Sequence, residues 1–547
     1  MNINTYAHTL IHLKFKQIIY QLYYRCIKVK VTPLKAPSPK PWKTVWNSPA
    51  YHELRLSPEG IFSCLGQSVS VLEASSWNSP IQSKLWLYHL HYFDDLNAVQ
   101  ADRRRDELNK LMQRWIIENP PVDGNGWEPY PLSLRIVNWV KWFSRMEDAV
   151  PVEWLNSLSV QTQALLKQIE YHILGNHLFV NGKALVFVGT FFSGKRAKRW
   201  QQKGLKILDA EVKVQFLPDG GHFELSPMYH ATVLWDLCDL VNLAYCSADE
   251  MLLKRVNTWQ GLIERGLFWL QAMSHPEGDI SFFNDSTLGV APSFAICVQY
   301  AKQLHIELPH AAQKMFSHQL LKPSGYCVVN LTKGSKAILD VANIGPDYQP
   351  GHAHADTLSF ELSLHGQRFL VNSGVSQYGL LPQRQYERST KAHNTVCINQ
   401  ADSSEVWGGF RVARRAYPKD LLMSEAPDRV KVSCAHNGYL RLAGRNWHQR
   451  TWDFTPHSLT ICDIITGPFA SAEARFYLHP EVNIIKKEVD GLLCCFLEDQ
   501  QVMISLAEFN DWIIEPSYWH PAFGVSVANH CLVVQLNGHQ LVTRLTW

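Results

Sequence analysis

The apolar positions change their period part-way along the chain. From about Leu85 to Lys302 they recur three and four residues apart, as in Leu108, Leu111 and Trp115 and again in Leu134, Val137 and Val140. That spacing gathers them on one face of a helix, so this half is predicted to be helical. After about Lys322 short alternating runs such as YCVVNL, AILDVAN, RVKVSCAH, QVMISLAE and HCLVVQLNG take over, broken by Gly, Asn and Asp. A period of two predicts an antiparallel, sheet-rich half built as a sandwich. The expected organisation is a basic amphipathic segment and linker over residues 1–45, a helical domain over 46–320 and an antiparallel β-sandwich over 321–547. Polar clusters in both halves point to a cleft at their junction.

The stretch PDYQPGHAHADTLSFELSLHGQRFLVNSG, Pro346 to Gly374, carries the densest of these clusters. From about Thr357 it reads as two short strands around the turn His365-Gly366, with Phe360, Leu362 and Leu364 alternating with polar residues. His352 is expected to start the strand, on which His352, His354 and Asp356 project to one face. Imidazoles and a carboxylate buried without partners cost a few kcal/mol each, so that row is expected to face a cleft or an ion.

Hydrophobic residues at 46% and charged residues at 18% describe an ordered globular chain, too long at 547 residues for a single core. Its 19 Trp and 20 Tyr suit the stacking of sugar rings as well as core filling. The net charge of +3 hides an asymmetry: residues 1–50 hold eight Lys/Arg and no Asp/Glu, leaving 44 basic against 49 acidic residues elsewhere. A nucleic-acid-binding role for the whole chain is thereby disfavoured. The twelve cysteines form no CxxC pair, which argues against a zinc ribbon and a disulfide framework. No secretory signal or membrane span is recognised, so a cytoplasmic or membrane-peripheral location is expected. Residues 10–28 place Ile11, Phe15, Ile18, Ile19, Leu22 and Cys26 at helical spacing beside Lys14, Arg25 and Lys28. This is either a basic helix lying on a membrane or one docked on its own protein. A Pro/Lys-rich linker, TPLKAPSPKPWK, follows.

Four polar clusters stand out in the helical half. GWEPYPLSLRIVNWVKW contains Glu128, Tyr130 and Arg135, the last fitted either to clamp an anion or to make a structural ion pair. GNHLFVNGKAL sets Asn176 and His177 where a helix begins, with Asn176 able to serve as its N-cap. PDGGHFELSPMYH offers His222, Glu224, Tyr229 and His230, and HPEGDISFFNDS a polar loop with Asn284 and Asp285. STKAHNT in the β half adds His393 and Asn394. No Ser or Cys nucleophile motif accompanies them. A Tyr beside Arg or His can act as general base and then acid, while Asn, His and Arg can neutralise a carboxylate. That set suits proton abstraction next to a carboxylate followed by β-elimination. Hydrolysis usually needs two opposed carboxylates.

The NH pair, ELSPMYH, GHAHADTLSFEL with GQRFLVNSG, and STKAHNT together resemble the heparinase II/III-like polysaccharide lyases over most of the chain after about Leu85. The resemblance implies an (α/α) toroid followed by an antiparallel β-sandwich, and β-elimination of an acidic, uronate-containing polysaccharide. It implies Tyr229 as base and acid, His352 assisting it, and His177 with Arg135 neutralising the carboxylate. Asn176, Glu128, Tyr130, His230, Asn284 and Asn394 are candidate substrate contacts. His354, Asn372 and His393 fall on the family's metal positions. Asn372 stands where the family often has Asp, so a structural zinc would be weakly held, and Val180 stands where a Glu is common. The family also makes the periplasm or cell envelope the alternative location. Two further readings stay open: a glycoside hydrolase on the same fold, and a non-catalytic carbohydrate-binding protein of capsule or exopolysaccharide biosynthesis.

Overall fold

The computed structural model describes residues 3–308, 316–331, 334–488 and 491–547. Its helices and strands divide where the sequence period changes. Long helices run from Lys84–Tyr92 to Phe294–Gln303, and the β half runs from Ser317–Leu321 to Gln540–Thr546. Helix Gly175–Phe191 packs on Gly194–Gln215 and Pro129–Phe143, and Pro227–Ser247 packs on Val256–Ala272. The first of these pairs meets backbone to backbone, since a Cβ at Gly204 would lie 2.5 Å from the Gly182 carbonyl oxygen.

The β half holds two large antiparallel sheets. One has eight strands, ordered 418–426, 429–436, 447–455, 458–466, 540–546, 500–507, 492–497 and 482–488. The other runs 509–519, 527–536, 472–478, 367–370, 360–364, 336–340, 326–330 and 317–321, with 396–398 paired to 472–478. Their facing sides enclose a core that includes Phe360, Trp452, Phe476 and Leu532. The eight-stranded sheet keeps the inside-outside alternation of a half-solvated surface, as in Trp447–Thr455. The other is buried on both faces along Lys336–Asp340, Phe360–Leu364 and Ala472–Leu478. Its second face packs on the helical domain through Leu225, Trp269, Phe283, Tyr326 and Ile338. Polar side chains there need partners, and Glu361 and Ser363 find one in His275, each 2.7 Å from a ring nitrogen.

Residues 352–358 correct the strand expected there. They form a loop, with Leu358 at a φ of +64°, and the strand begins only at Phe360. The reason is where the backbone bonds go. His354 N–H donates to Asn284 Oδ1 (3.0 Å), Ala355 N–H to Arg388 O (2.9 Å), and His352 O accepts from Asp285 N–H (2.9 Å), so no ladder is left to form.

Short helices Ile3–Leu10 and Phe15–Cys26 lie against the outside of both domains. Trp407 Nε1 donates to Thr9 Oγ1 (3.1 Å) and Gln17 Nε2 to Tyr348 O (3.2 Å). Among the described residues no helix is long and apolar enough to cross a membrane.

Candidate active site

A cleft of about 800 Å³ opens between the helical domain and the sandwich. Tyr229 stands on its helical side, in the first turn of helix Pro227–Ser247. Two local features place it there. Pro227 presets the first helical φ, and Ser226 caps the helix by accepting from Tyr229 N–H (3.2 Å) while donating to Asp285 O (2.6 Å). The tyrosine ring stacks on His352, with centroids 3.8 Å apart, and its hydroxyl lies 3.0 Å from that of Tyr378. Burial, and after it the Tyr378 hydroxyl, push the Tyr229 phenol well above its ordinary value. In the resting cleft it holds its proton.

Behind His352 sits Asp285, fully buried. Its oxygens receive His352 Nδ1 (2.9 Å), His354 Nε2 (2.8 Å) and both terminal nitrogens of Arg384, one of them at 2.8 Å. Burial alone would raise this carboxyl, but Arg384 and the two histidines hold it well below the usual range. An ionised Asp285 can only accept, so His352 Nδ1 carries a proton, and Nε2 faces Glu224 Oε2, 3.5 Å away. Burial pushes the Glu224 carboxyl up. It is also the reason for glycine at 175, where φ is +56° and a Cβ would fall 2.6 Å from Glu224 Oε1.

Asn176 and His177 face the cleft from the first turn of helix Gly175–Phe191. The N-cap position is Leu174, so Asn176 does not cap the helix; its buried Oδ1 has no protein partner. His177 Nδ1 lies 2.8 Å from Glu170 Oε1, and its ring packs 4.4 Å from that of Tyr130. Burial would lower this imidazole, but the Glu170 carboxylate outweighs burial and the net shift is upward. The pair thus presents an amide and a readily protonated ring.

Deeper in, Lys183 bridges Asp236 (2.5 Å) and Asp239, and Lys141 reaches Asp239 (2.6 Å). Burial brings Lys141 down to about 8. Tyr51, Tyr88, Tyr92, Tyr130, Trp235 and Phe410 supply the aromatic walls.

Several sequence candidates lie elsewhere, which corrects their expected roles. Arg135 is fully buried and spends its donors on Gln161 Oε1 (2.9 Å), His91 O (3.1 Å) and Gly126 O (2.7 Å), stacked over Trp115. It has no free edge for a substrate carboxylate. His230 is consumed by His222 N–H (3.1 Å) and Gly266 O (2.8 Å). Asn284 holds the His354 backbone, and Asn394 ties Phe360 O (2.8 Å), Val371 O (3.0 Å) and Tyr477 N–H (2.7 Å). Glu128 pairs with Lys84 (2.8 Å) and the Tyr88 hydroxyl outside the cleft lining. Conversely, sequence reasoning missed Tyr378, Glu170 and Arg384. Tyr378 and Arg384 are remote in sequence from Tyr229 and Asp285, and Glu170, seven residues before His177, lies outside the helix that carries it, so no periodic pattern links them.

At His354, Asn372 and His393, the expected metal positions, no side chain is anionic. His354 Nδ1 and His393 Nε2 face each other at 3.3 Å, yet Asn372 offers a neutral amide whose oxygen accepts from Asn394 N–H (3.4 Å). Among the described residues no three His, Cys, Asp or Glu side chains converge on a metal position. Burial holds His354 down at about 4, and with its Nε2–H given to Asp285 its Nδ1 is left as an acceptor for His393.

Two family models match the chain: "Heparinase II/III N-terminus" over residues 86–306 and "Heparinase II/III-like, C-terminal" over 317–547. Among curated proteins, the heparin-sulfate lyase of Bacteroides stercoris is 26% identical over 274 residues, covering 47% of this chain and 40% of that protein. That of Pedobacter heparinus is 27% identical over 300 residues, covering 50% and 44%. The matches thus span less than half the length of these relatives. Among solved structures, a heparinase III crystal structure aligns over 97% of this chain and 89% of its own, at 18% identity and a TM-score of 0.72. The shared fold is a helical toroid followed by an antiparallel β-sandwich.

Proposed function

The chain belongs to the heparinase II/III-like family, and from that premise we propose that it is a polysaccharide lyase that cleaves a uronate-containing glycan by β-elimination at the domain junction. The observation that carries the reading is one cleft holding the Tyr229 hydroxyl, His352 stacked beneath its ring, and the Asn176–His177 pair. In this mechanism the amide of Asn176 and protonated His177 bind the uronate carboxylate and stabilise the charge that develops when the adjacent C–H proton leaves. Tyr229 takes that proton, the C4–O bond breaks as the ring double bond forms, and Tyr229 returns a proton to the departing oxygen. Because the resting phenol is protonated, it must first lose that proton to solvent in the cleft, and the Tyr378 hydroxyl, itself kept protonated by burial, then donates to the phenolate oxygen.

A second division of labour is favoured by the Asp285 contact. With Nδ1–H given to Asp285, His352 Nε2 is the ring nitrogen left to act as base, and Tyr229 then serves only as acid. Hydrolysis is less well supported. The carboxylates lining the cleft, Asp94, Asp236 and Asp239, are engaged by Arg55, Lys183 and Lys141, which leaves no opposed free pair.

The test is ultraviolet absorbance of unsaturated product across polymers of glucuronate and of its C5 epimer, iduronate. Product from at least one of them is expected, and silence on every uronate polymer would remove the lyase reading. His352→Ala separates the two mechanisms: if Tyr229 performs both transfers the variant is slowed, whereas if His352 is the base it is inactive.

A further inference from the structure

Helix Phe15–Cys26 is docked on the protein by its polar side. Gln17 is buried against the Tyr348 carbonyl, Tyr24 donates to Ile169 O, and Tyr20 packs 4.8 Å from Tyr171. At about 100° per residue these three share one side, and Phe15, Ile18, Ile19 and Leu22 share the opposite one. That second side faces out: Phe15 is 75% exposed, Leu22 57%, Ile19 45% and Ile18 39%. Helix Ile3–Leu10 repeats the arrangement. Tyr6 and Thr9 engage Trp407, while Ile3 is 86% exposed, Leu10 54% and the following Ile11 70%. An amphipathic helix ordinarily buries its apolar side, and a continuous exposed one marks a contact surface.

Charge identifies the partner. Residues 1–50 contain eight Lys/Arg and no Asp/Glu. Arg25, Lys28 and Lys30 are exposed at the end of the second helix, and Lys14 and Lys16 lie over the rings of Tyr348 and Tyr171 along its flank. A second copy of the same surface would set cations against cations. An anionic phospholipid surface supplies both an apolar layer for the side chains and negative headgroups for the basic flank. We infer that residues 3–27 form an interfacial anchor that lays the protein on an anionic phospholipid bilayer without crossing it.

The full chain is tested by flotation with phosphatidylcholine vesicles, with and without phosphatidylglycerol. It is expected to float with the anionic vesicles and to be released by high salt. Phe15→Glu with Leu22→Glu should abolish flotation, and Arg25→Glu with Lys28→Glu should weaken it at least about tenfold. All four side chains project away from the body, so melting temperatures should stay at the parent value. Failure of the parent chain to float with either vesicle, or undiminished flotation of the Phe15/Leu22 variant, would overturn the proposal. So would a dimer in sedimentation that this variant dissolves, since it would assign the surface to a second copy.

Discussion

Two buried arginines, one inside the helical domain and one at the domain junction, show what separates a structural charge from one that shapes a site. Arg135 has no anion: carbonyls, an amide and an indole face satisfy it, and burial without a carboxylate pulls it well below its ordinary value. Arg384 is equally buried but forks onto Asp285, whose same two oxygens hold His352 and His354. The first arginine ties the middle of helix Pro129–Phe143 to helices Lys84–Tyr92 and Val152–Lys167 and to Gly126, and its influence ends there. The second neutralises a carboxylate that fixes the tautomer of a cleft histidine, so its influence reaches the surface where substrate would lie. Burial and charge are alike in both. What differs is whether the counter-group is shared with the cleft.

Removing the shared group should have the largest effect. Asp285→Asn leaves Arg384 buried without its anion, which costs about 3–5 kcal/mol, and frees His352 to adopt the other tautomer. A large fall in melting temperature together with loss of turnover is expected. A stable, fully active variant would refute the role given to Asp285. Arg135→Met is the matching experiment on the other side. It strands three acceptors and should destabilise by about 2–3 kcal/mol, yet kcat and KM of the folded variant should stay near the parent values. A selective rise in KM would return Arg135 to the substrate.

A smaller effect concerns pH. His177 has a raised value in the fold, so its charge is present at low pH and is lost as pH rises through that raised value. Its stabilising contribution follows the same sign, full below the unfolded value of 6.5 and gone above the folded one. KM should therefore climb on the alkaline side, and Glu170→Gln should move the climb to lower pH. An unchanged profile in that variant would separate His177 from carboxylate binding. The mildest prediction is at the paired imidazoles: Asn372→Asp should raise the zinc content of purified protein measured by elemental analysis, because it adds the missing anionic donor. Unchanged zinc content would mean the two histidines are held for packing alone.

The same contrast explains what the sequence disclosed. Period alone revealed the two halves, because a helical face and a strand face are local properties, and the motifs carrying Tyr229, Asn176–His177 and His352 all converge on the cleft. The loop at 352–358 was misread as strand because alternation of side chains survives in any extended segment, while the hydrogen bonds that decide the matter come from Asn284 and Arg388, remote in sequence. Arg135 and Arg384 could not be told apart for a similar reason. Each stands on a helix, and only the tertiary fold supplies carbonyls to one and Asp285 to the other. Tyr378 carried no signal, since its partner Tyr229 is met through space, and Glu170, seven residues before His177, stands outside the helix on which a periodic pattern would have paired them.

The central claim, that elimination runs on the Tyr229 hydroxyl where the two domains meet, is tested most directly by Tyr229→Phe. The substitution keeps the ring stacked on His352 and removes only the hydroxyl, so the melting temperature should hold. The initial rate of unsaturated-product formation should fall by at least the ~10²–10⁴-fold typical of a general acid/base. A variant that melts like the parent and still forms product at near the parent rate would contradict the account.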